Sequence, residues 1–286
     1  MTRTSNKARN RVALRRRSMV HAPLRSLRRL AVRLGYYSRP TFVVIGAQKS
    51  GTTALHSILA QHSQISASDR KEIHYFDNDD WYSKKGSVHE YHEYFPLPHR
   101  SSRHVFESTP IYLYHPAVAR RLQRYNPKLK LIALLRNPAE RALSAWKMYH
   151  HTFRSGPYRH LHDPRSFGEA VREELRNLDS TDFYTDPIAY VKRGIYHEQL
   201  QAVLDRFPRD QVLVLQAKKL RLAFDATLTR TLDFLDVDPE PLEPKTENIS
   251  PTDQQSHADV IGQLKEFYRP HNARLFEMIG ERYDWD

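Results

Sequence analysis

The stretch FVVIGAQKSGTTAL, residues 42–55, decides the fold because it predicts a strand, a loop and a helix in direct succession. The β-branched and aromatic run over residues 41–45 is typical of a short buried strand, and it is bounded by Gly46. Residues 52–61 then place apolar side chains three and four positions apart, which is the spacing of one helix face. A glycine-containing loop connects the two elements.

The same alternation of strand and helix continues outward from this stretch. Further short apolar runs predict strands at residues 104–107, 130–135 and 211–215. Helical spacing follows them at residues 116–125, at residues 138–151 and from Ala217 onward. Such alternation implies right-handed crossovers, so we expect an α/β fold with a P-loop-type parallel β-sheet flanked by helices on both faces. Residues 91–103 and 239–251, which contain prolines, are predicted to be loops.

The composition fits one globular domain that needs no disulfide or structural metal. The chain has 286 residues, 40% of them hydrophobic, and no cysteine. This excludes disulfide-stapled scaffolds, thiolate metal sites and cysteine nucleophiles, and no metal site is predicted. No apolar run approaches the ~20 residues that cross a bilayer, so we expect no membrane-spanning segment.

The charge is concentrated at the start of the chain. Residues 1–40 contain twelve basic side chains and no Asp or Glu, so the whole formal net charge of +12 lies there and residues 41–286 are neutral. We therefore expect a basic N-terminal segment over residues 1–40, disordered or partly helical, and a folded domain over residues 41–286. Residues 24–34 have the leucine spacing of a basic amphipathic helix.

Such a basic segment is attracted to anionic surfaces. We expect peripheral contact of residues 1–40 with a membrane or another polyanion, and no specific nucleic-acid partner. The expected location is cytoplasmic, with peripheral contact at the inner membrane surface.

The loop after the first strand is predicted to bind phosphate. Residues 46–53, GAQKSGTT, bring two glycines, a lysine and three hydroxyls to the start of a helix. Glycine allows successive backbone N–H groups to converge on an anion, and the helix N-terminus adds about half a positive charge.

The position of the lysine separates this loop from a nucleoside triphosphatase loop. In the pattern G-x-x-x-x-G-K-[ST] the lysine follows the second glycine, whereas here Thr52 stands there and Lys49 lies inside the loop. The run KLIALL continues into Arg136 and not into the aspartate that holds magnesium in such proteins. Both features argue against a magnesium nucleotide, and Arg136 predicts a second anion at the carboxyl edge of the sheet.

These motifs resemble the sulfotransferases that use 3′-phosphoadenosine 5′-phosphosulfate (PAPS). Residues 42–55 look like the family's 5′-phosphosulfate loop, and LLRNPAERALSAW, residues 134–146, looks like its 3′-phosphate motif. KEIHYF, residues 71–76, resembles a segment of the heparan-type and related bacterial branch. Later matches in the same order are ESTP at residues 107–110, YVKRGIYHEQL at residues 190–200 and the stretch over residues 267–285. The resemblance covers residues 41–286.

The resemblance implies a set of donor-binding residues: Gln48, Lys49, Ser50, Gly51, Thr52, Thr53, Arg136 and Ser144. Asn137 is expected to cap the helix that Pro138 opens. This leaves the guanidinium of Arg136 free to bind a phosphate. Neighbouring Glu140 and Arg141 are interpreted as solvated helix charges.

Sulfuryl transfer needs a base for the acceptor's proton and a cation for the departing phosphate oxygen. Lys49 is the candidate for that cation, and Glu72 is the candidate base by its position in KEIHYF. His74 remains the alternative base, because histidine has the better intrinsic pKa. Glu107 is a further carboxylate that is expected to orient the acceptor or a lysine.

The acceptor is expected to be a carbohydrate bound between residues 77–103 and 150–190. Aromatic and basic side chains recur in these stretches and directly before the second one: Trp81, Tyr82, Tyr91, His92, Tyr94, Tyr149, His150, His151, Arg154, Tyr158, Arg159, His160 and His162. Two other function classes stay open, a nucleotide kinase on the same P-loop scaffold and a binding protein that acts through its basic segment.

Overall fold

A parallel five-stranded sheet forms the centre of the molecule. The computed structural model describes residues 26–180, 183–184, 186, 188–245 and 255–285. The strands are β1 (Phe42–Gly46), β2 (Ile65–Ala67), β3 (His104–Ser108), β4 (Lys130–Leu135) and β5 (Val212–Gln216). They pair in the order β2-β3-β1-β4-β5, and every pair is parallel. The predicted α/β class with a parallel sheet is confirmed.

The helices connect and cover these strands. They are α1 (Thr52–Leu59), α2 (Asp79–Ser83), α3 (Ser87–His92), α4 (Val118–Tyr125), α5 (Pro138–His150), α6 (Phe167–Arg176), α7 (Tyr196–Leu204), α8 (Ala217–Leu222), α9 (Phe224–Leu235) and α10 (Ala258–Ile279). Two short 3₁₀ turns, Pro110–Leu113 and Lys192–Gly194, lie close to the candidate site described below.

The alternation of side chains along the strands divides the core between the two faces of the sheet. On β1, Val43 and Ile45 pack with residues of α4 and α7, whereas Phe42 and Val44 pack with residues of α1 and α9. A third apolar cluster joins α5, α6 and α10 beside the sheet. Helices therefore cover both faces, as the sequence predicts.

The predicted strands agree with the observed ones to within one residue, and two features differ. The three-residue strand β2 was not predicted, because it is too short to show a pattern and exists through its pairing with β3. The loop predicted over residues 91–103 begins inside α3, and α2 precedes it. Asn78 caps α2 by accepting the N–H of Trp81 at 2.8 Å.

Part of the predicted basic segment is described. Residues 26–33 are helical, and Val32 on this helix is buried against the body of the protein. Residues 1–25 lie outside the described residues, as do residues 246–251 of the second predicted loop. Within the described part of the chain, no helix combines the length and the apolar character needed to cross a bilayer.

Candidate active site

The candidate site lies where three neighbouring strands end. β1 sits between β3 and β4, with Val44 paired to Ser108 and Gly46 paired to Ala133. The loop after β1, the turn after β3 and Arg136 after β4 therefore meet at one edge. Ligands of open α/β sheets bind at this carboxyl edge.

The loop between β1 and α1 curls over the end of its own strand. The N–H of Ala47 donates to the carbonyl of Leu134 at 2.8 Å, and the N–H of Ser50 donates to the carbonyl of Ala47 at 3.1 Å. Gly51 has a left-handed φ of 93°, and α1 begins at Thr52 without a capping side chain. The first N–H groups of a helix have no intrahelical partner and carry the positive end of its dipole. This loop is therefore shaped to hold an anion.

The side chains of the loop are mostly turned inward. Ser50 and Thr52 are buried, Gln48, Lys49 and Thr53 are half-buried, and Gly51 is exposed. The predicted donor-binding residues of this loop, residues 48–53, are thus contiguous, and all of them except Gly51 are at least half-buried.

Gly46 allows the turn after β3 to pack directly against this loop. A Cβ atom at Gly46 would lie 2.6 Å from the Cβ of Leu113, which is closer than two carbon atoms can approach. Leu113 belongs to the 3₁₀ turn Pro110–Leu113, which also carries Tyr112. A larger residue at position 46 would displace this turn.

Lys49 lies in a strongly cationic environment. Its Nζ is 3.8 Å from Sδ of Met148 on α5, and its backbone has a left-handed φ of 70°. Burial lowers the pKa of Lys49, and the positive charge of Arg136 lowers it further, while the carboxylate of Glu72 opposes the change. These electrostatic effects show that the structure brings together Lys49, Arg136 and Glu72.

Arg136 is held by the capped start of α5. Asn137 accepts the N–H groups of Ala139 and Glu140 at 3.0 and 3.3 Å, which confirms the predicted cap. Nε of Arg136 donates to Glu140 at 3.0 Å, so Glu140 is its half-buried partner and not a free surface charge. Ser144 is half-buried and lies eight residues along from Arg136, a little over two helical turns.

Arg141 is buried, and its interpretation as a solvated helix charge was wrong. Only 1% of its surface is exposed, because this side of α5 faces Tyr190 and Tyr268 in the third apolar cluster. Its Nη2 donates to the carbonyl of Tyr190. Within the described part of the chain, its Nε and Nη1 have no hydrogen-bond partner.

A buried guanidinium without an anion is costly, because the low-dielectric interior disfavours an unpaired charge. Arg141 also contributes to the lowered pKa of Lys49, so it lies close to the same loop. The residues present therefore fit a strongly anionic group such as PAPS, whose phosphates would supply the missing negative charge.

The predicted catalytic segment, residues 71–76, lies at the end of β3. Ile73, Tyr75 and Phe76 are buried in the core and anchor the segment. Glu72 and His74 flank Ile73 and stay half-exposed. The N–H of Glu72 donates to the carbonyl of Ser108 at 2.9 Å, so the segment is fixed to the end of β3.

An ionic chain runs through this segment. Glu72 pairs with Lys71 and, at 3.7 Å, with Nε2 of His74, whose Nδ1 lies 2.7 Å from Asp77. Burial would raise the pKa of Glu72, but His74 and the charge of Lys71 outweigh it and hold the pKa at about 2. Burial would lower the pKa of His74, but Asp77 and Glu72 raise it to about 9.

Backbone strain is concentrated at the predicted catalytic residues. In the described part of the chain, four residues other than glycine have a positive φ, and three of them are Lys49, Glu72 and His74. The left-handed region costs such residues about 1–3 kcal/mol each, and it persists where the surrounding structure enforces it. Strain of this kind is common in active sites.

Glu107 takes part in a different arrangement from the expected one. It is fully buried and accepts hydrogen bonds from the hydroxyls of Tyr91 and Thr109, each at 2.7 Å, and of Tyr112 at 3.2 Å. Burial raises its pKa to about 7. The hydroxyl of Tyr112 in turn accepts the N–H groups of Tyr75 and Phe76 at 3.2 and 3.3 Å. Glu107 therefore supports the segment over residues 71–76 through the hydroxyl of Tyr112. Its hydrogen-bond partners are three hydroxyls, whereas the sequence analysis expected it to orient an acceptor or a lysine.

Arg193 belongs to the site and was missed by sequence reasoning. Its Nη1 donates to Oε1 of Gln48 at 2.6 Å, and its guanidinium lies 5.0 Å from the centre of the Tyr114 ring. The stretch YVKRGIY carried the signal, since it places a basic pair before a glycine. The spacing of these residues in the sequence does not indicate whether Lys192 or Arg193 contacts the loop over residues 46–53.

Three of the residues expected to contact the acceptor are not available for it. Tyr91, His92 and Tyr149 are buried in the core, because helices α3 and α5 turn them inward. By contrast, the surface beyond α5 is open, and its exposed side chains include His151, Arg154, Tyr158, Arg159 and His160.

The comparison with protein families agrees with this geometry. The model of the sulfotransferase domain matches residues 39–265 of the 286. The match includes the glycine-containing loop over residues 46–53, the segment with Glu72 and His74, and the start of α5. The chain therefore belongs to the sulfotransferase domain family, and the predicted resemblance is confirmed.

Individual relatives support the same family. Human bifunctional heparan sulfate N-deacetylase/N-sulfotransferase 2 is 29% identical over 70% of this chain, and the match covers 22% of that protein. The membrane-associated sulfotransferase kil1 of Dictyostelium discoideum is 25% identical over 86% of this chain and 66% of its own length. The chain thus spans about a fifth to two thirds of these relatives. The crystal structure of a sulfotransferase from Alicyclobacillus acidocaldarius is 26% identical, with a TM-score of 0.67, over 86% of this chain and 98% of that one.

Proposed function

We propose that this protein transfers the sulfuryl group of PAPS to a hydroxyl or amine of a carbohydrate acceptor. The observation that carries the proposal is the meeting of Lys49, Arg136 and the ionised Glu72 at one edge of the sheet. Lys49 and Arg136 are cations beside a loop with free backbone N–H groups, which suits the phosphates of the donor. Glu72 is a carboxylate near them, which suits the removal of a proton from the acceptor.

The donor is proposed to bind through the loop and the start of α5. The proposed binding residues are Gln48, Lys49, Ser50, Gly51, Thr52, Thr53, Arg136 and Ser144, with Arg141 as a buried additional cation. PAPS supplies the sulfuryl group when it is bound. We assign to Lys49, a half-buried residue of this loop with a left-handed backbone, the role of holding the oxygen on which negative charge develops.

Glu72 is the favoured base of the two candidates. A base must be in its deprotonated form before it accepts a proton. At neutral pH Glu72 is ionised, because its pKa is about 2, whereas His74 is protonated, because its pKa is about 9. We propose that Glu72 takes the acceptor's proton and that His74, held by Asp77, positions the carboxylate.

A carbohydrate acceptor is supported by the open surface beyond α5. Met148 touches Lys49, so the residues that follow α5 begin next to the donor site. Residues 150–162 carry four histidines and two arginines and no acidic residue, which suits an anionic glycan. One relative is named as a heparan sulfate sulfotransferase.

Calorimetry tests the donor assignment. We expect 3′-phosphoadenosine 5′-phosphate to bind without metal, and Arg136→Ala to weaken it by about 1.5–3 kcal/mol, the range for hydrogen bonds to charged groups. Arg124→Ala is the matched control, because Arg124 is exposed at the end of α4, near the amino edge of the sheet. Tighter binding of ATP with magnesium would instead favour the nucleotide kinase.

A panel assay tests the acceptor. Labelled PAPS is offered with polysaccharides, glycolipids, phenols and aliphatic alcohols, and we expect transfer to the carbohydrates. Transfer confined to phenols or simple alcohols would refute the carbohydrate acceptor and leave the sulfuryl transfer itself intact. Removal of residues 1–40 tests the third function class, the binding protein. A protein that acts only through its basic segment would lose its binding to polyanions and would show no sulfuryl transfer before or after the removal.

A further inference from the structure

We propose that residues 27–36 form a docking surface for an anionic lipid bilayer. Seven large hydrophobic side chains are exposed in the described part of the chain, and four of them lie in these ten residues. They are Leu27, Leu30, Leu34 and Tyr36, with exposed fractions of 62%, 56%, 76% and 54%. We call these four residues the apolar ridge.

The ridge belongs to a well-formed helix end. Leu27, Leu30 and Leu34 are three and four residues apart, so they share one helix face. Gly35 ends the helix with a φ of 80°, and the N–H groups of Gly35 and Tyr36 donate to the carbonyls of Val32 and Ala31 at 3.0 and 2.8 Å. This pair of bonds is a Schellman motif, which closes helices at a defined residue.

The opposite face of the same helix is fixed to the body of the protein. Arg28 pairs with Asp69, and Nε of Arg29 lies 3.1 Å from Glu93. Val32, on the same face of the helix, is buried. These contacts hold the helix in one orientation, so the leucines are presented to the outside and have no protein surface to cover them in the described chain.

The charge of the chain matches an anionic surface. Residues 1–40 hold twelve basic and no acidic side chains, whereas the rest of the chain is neutral. Basic side chains next to an exposed leucine face are typical of helices that lie in the headgroup region of a bilayer. Basic residues close to such a surface add to the attraction. A nucleic acid or a soluble polyanion would use the charge alone and leave the leucines in water, so the ridge favours the bilayer.

The helix that carries this surface is anchored close in sequence to the candidate base. Asp69, the partner of Arg28, is three residues before Glu72. A bilayer in contact with the ridge would be separated from Asp69 by about one helix diameter, ~10 Å. The docking helix is therefore anchored to the residue that lies three positions before Glu72.

Sedimentation of the full chain with vesicles tests the proposal. One set of vesicles contains phosphatidylcholine alone, and the other contains phosphatidylcholine mixed with phosphatidylglycerol. The variant Leu27→Ser/Leu30→Ser/Leu34→Ser removes the ridge, and Leu222→Ser is the control, because Leu222 is 74% exposed on α8. All four leucines are exposed, so thermal unfolding of both variants should match that of the unchanged protein.

We expect binding to the mixed vesicles, at least about tenfold weaker binding of the triple variant, and no change for Leu222→Ser. Added salt should weaken the binding, because it screens the basic residues. Equal binding of the triple variant and the unchanged protein would overturn the proposal, and so would stronger binding to soluble heparin or DNA than to the vesicles. The assay measures vesicle binding and not turnover, so its failure leaves the proposed sulfuryl transfer untouched.

Discussion

Two carboxylates at the same edge of the sheet have opposite environments. Glu72 is half-exposed among Lys71 and His74, and its pKa is held at about 2 against the effect of burial. Glu107 is fully buried among three hydroxyls, and burial raises its pKa to about 7. The difference shows that a carboxylate beside the site is not automatically a base. The two carboxylates differ in their exposure to an acceptor and in the charges around them, and these two properties separate a base from a supporting residue.

The two carboxylates are nevertheless connected. Glu107 accepts the hydroxyl of Tyr112, and that hydroxyl accepts two N–H groups of the segment that carries Glu72. We therefore infer that Glu107 positions the segment while Glu72 acts on the acceptor. The predictions below test this division, beginning with the largest expected effect.

Glu72→Gln should reduce turnover by about 10²- to 10⁴-fold, the contribution of a general base. Affinity for 3′-phosphoadenosine 5′-phosphate should stay nearly unchanged, because the base acts on the acceptor. Steady-state kinetics and calorimetry measure the two effects, with Glu277→Gln as the control, because Glu277 is an exposed residue of α10. Turnover that survives in Glu72→Gln but disappears in His74→Ala would exchange the two assignments.

The pH dependence of kcat/KM separates the same two candidates without a mutation. With Glu72 as base the rate should be level between pH 5 and 8, since the group is already ionised well below this range. With His74 as base the rate would rise about tenfold per pH unit towards pH 9, which is about 100-fold from pH 6 to 8. A rise of that size would contradict the assignment to Glu72.

Glu107→Gln should change how stability depends on pH. The pKa of Glu107 is about 7 in the folded protein and 4.5 by its ordinary value, so the folded state holds a proton that the unfolded state releases. Stability should therefore fall as pH rises from about 4.5 to 7, by up to about 3 kcal/mol from this group. The Glu107→Gln variant should not show this fall of stability with pH, because the glutamine side chain does not titrate. Urea unfolding at several pH values measures the difference, and a constant gap between the two proteins would refute it.

Tyr112→Phe should have the smallest effect, because it removes one hydroxyl and keeps the ring. We expect a loss of about 1 kcal/mol in stability. We also expect a lower kcat with little change in donor affinity, since the segment with Glu72 loses its support. Tyr283→Phe is the matched control, because the buried hydroxyl of Tyr283 has no hydrogen-bond partner in the described part of the chain. Equal effects on kcat in the two variants would argue against a positioning role.

Much of the site could be predicted because its information is local. The glycine-rich loop, the cap at Asn137 and the segment KEIHYF each depend on residues that are close in sequence. Hydrophobic patterning predicted the longer strands for the same reason, since β1 is apolar throughout and β4 is apolar after Lys130. The roles of Lys49, Glu72 and His74 stay predictions, although Glu72 and His74 form an ion pair and the charge of Glu72 acts on Lys49.

The remaining features depend on which elements become neighbours. The order β2-β3-β1-β4-β5 brings together segments that are distant in sequence, and the three-residue β2 exists only through its pairing with β3. Arg141 and Glu107 are buried because of what packs on them, which no local pattern reports. The contact of Arg193 with Gln48 joins residues 145 positions apart. The sequence by itself therefore determined the fold class and the local structure of the glycine-containing loop. Only the tertiary structure decided which charges are buried and how differently Glu72 and Glu107 are exposed, because burial and pairing of charges are set by contacts between distant parts of the chain.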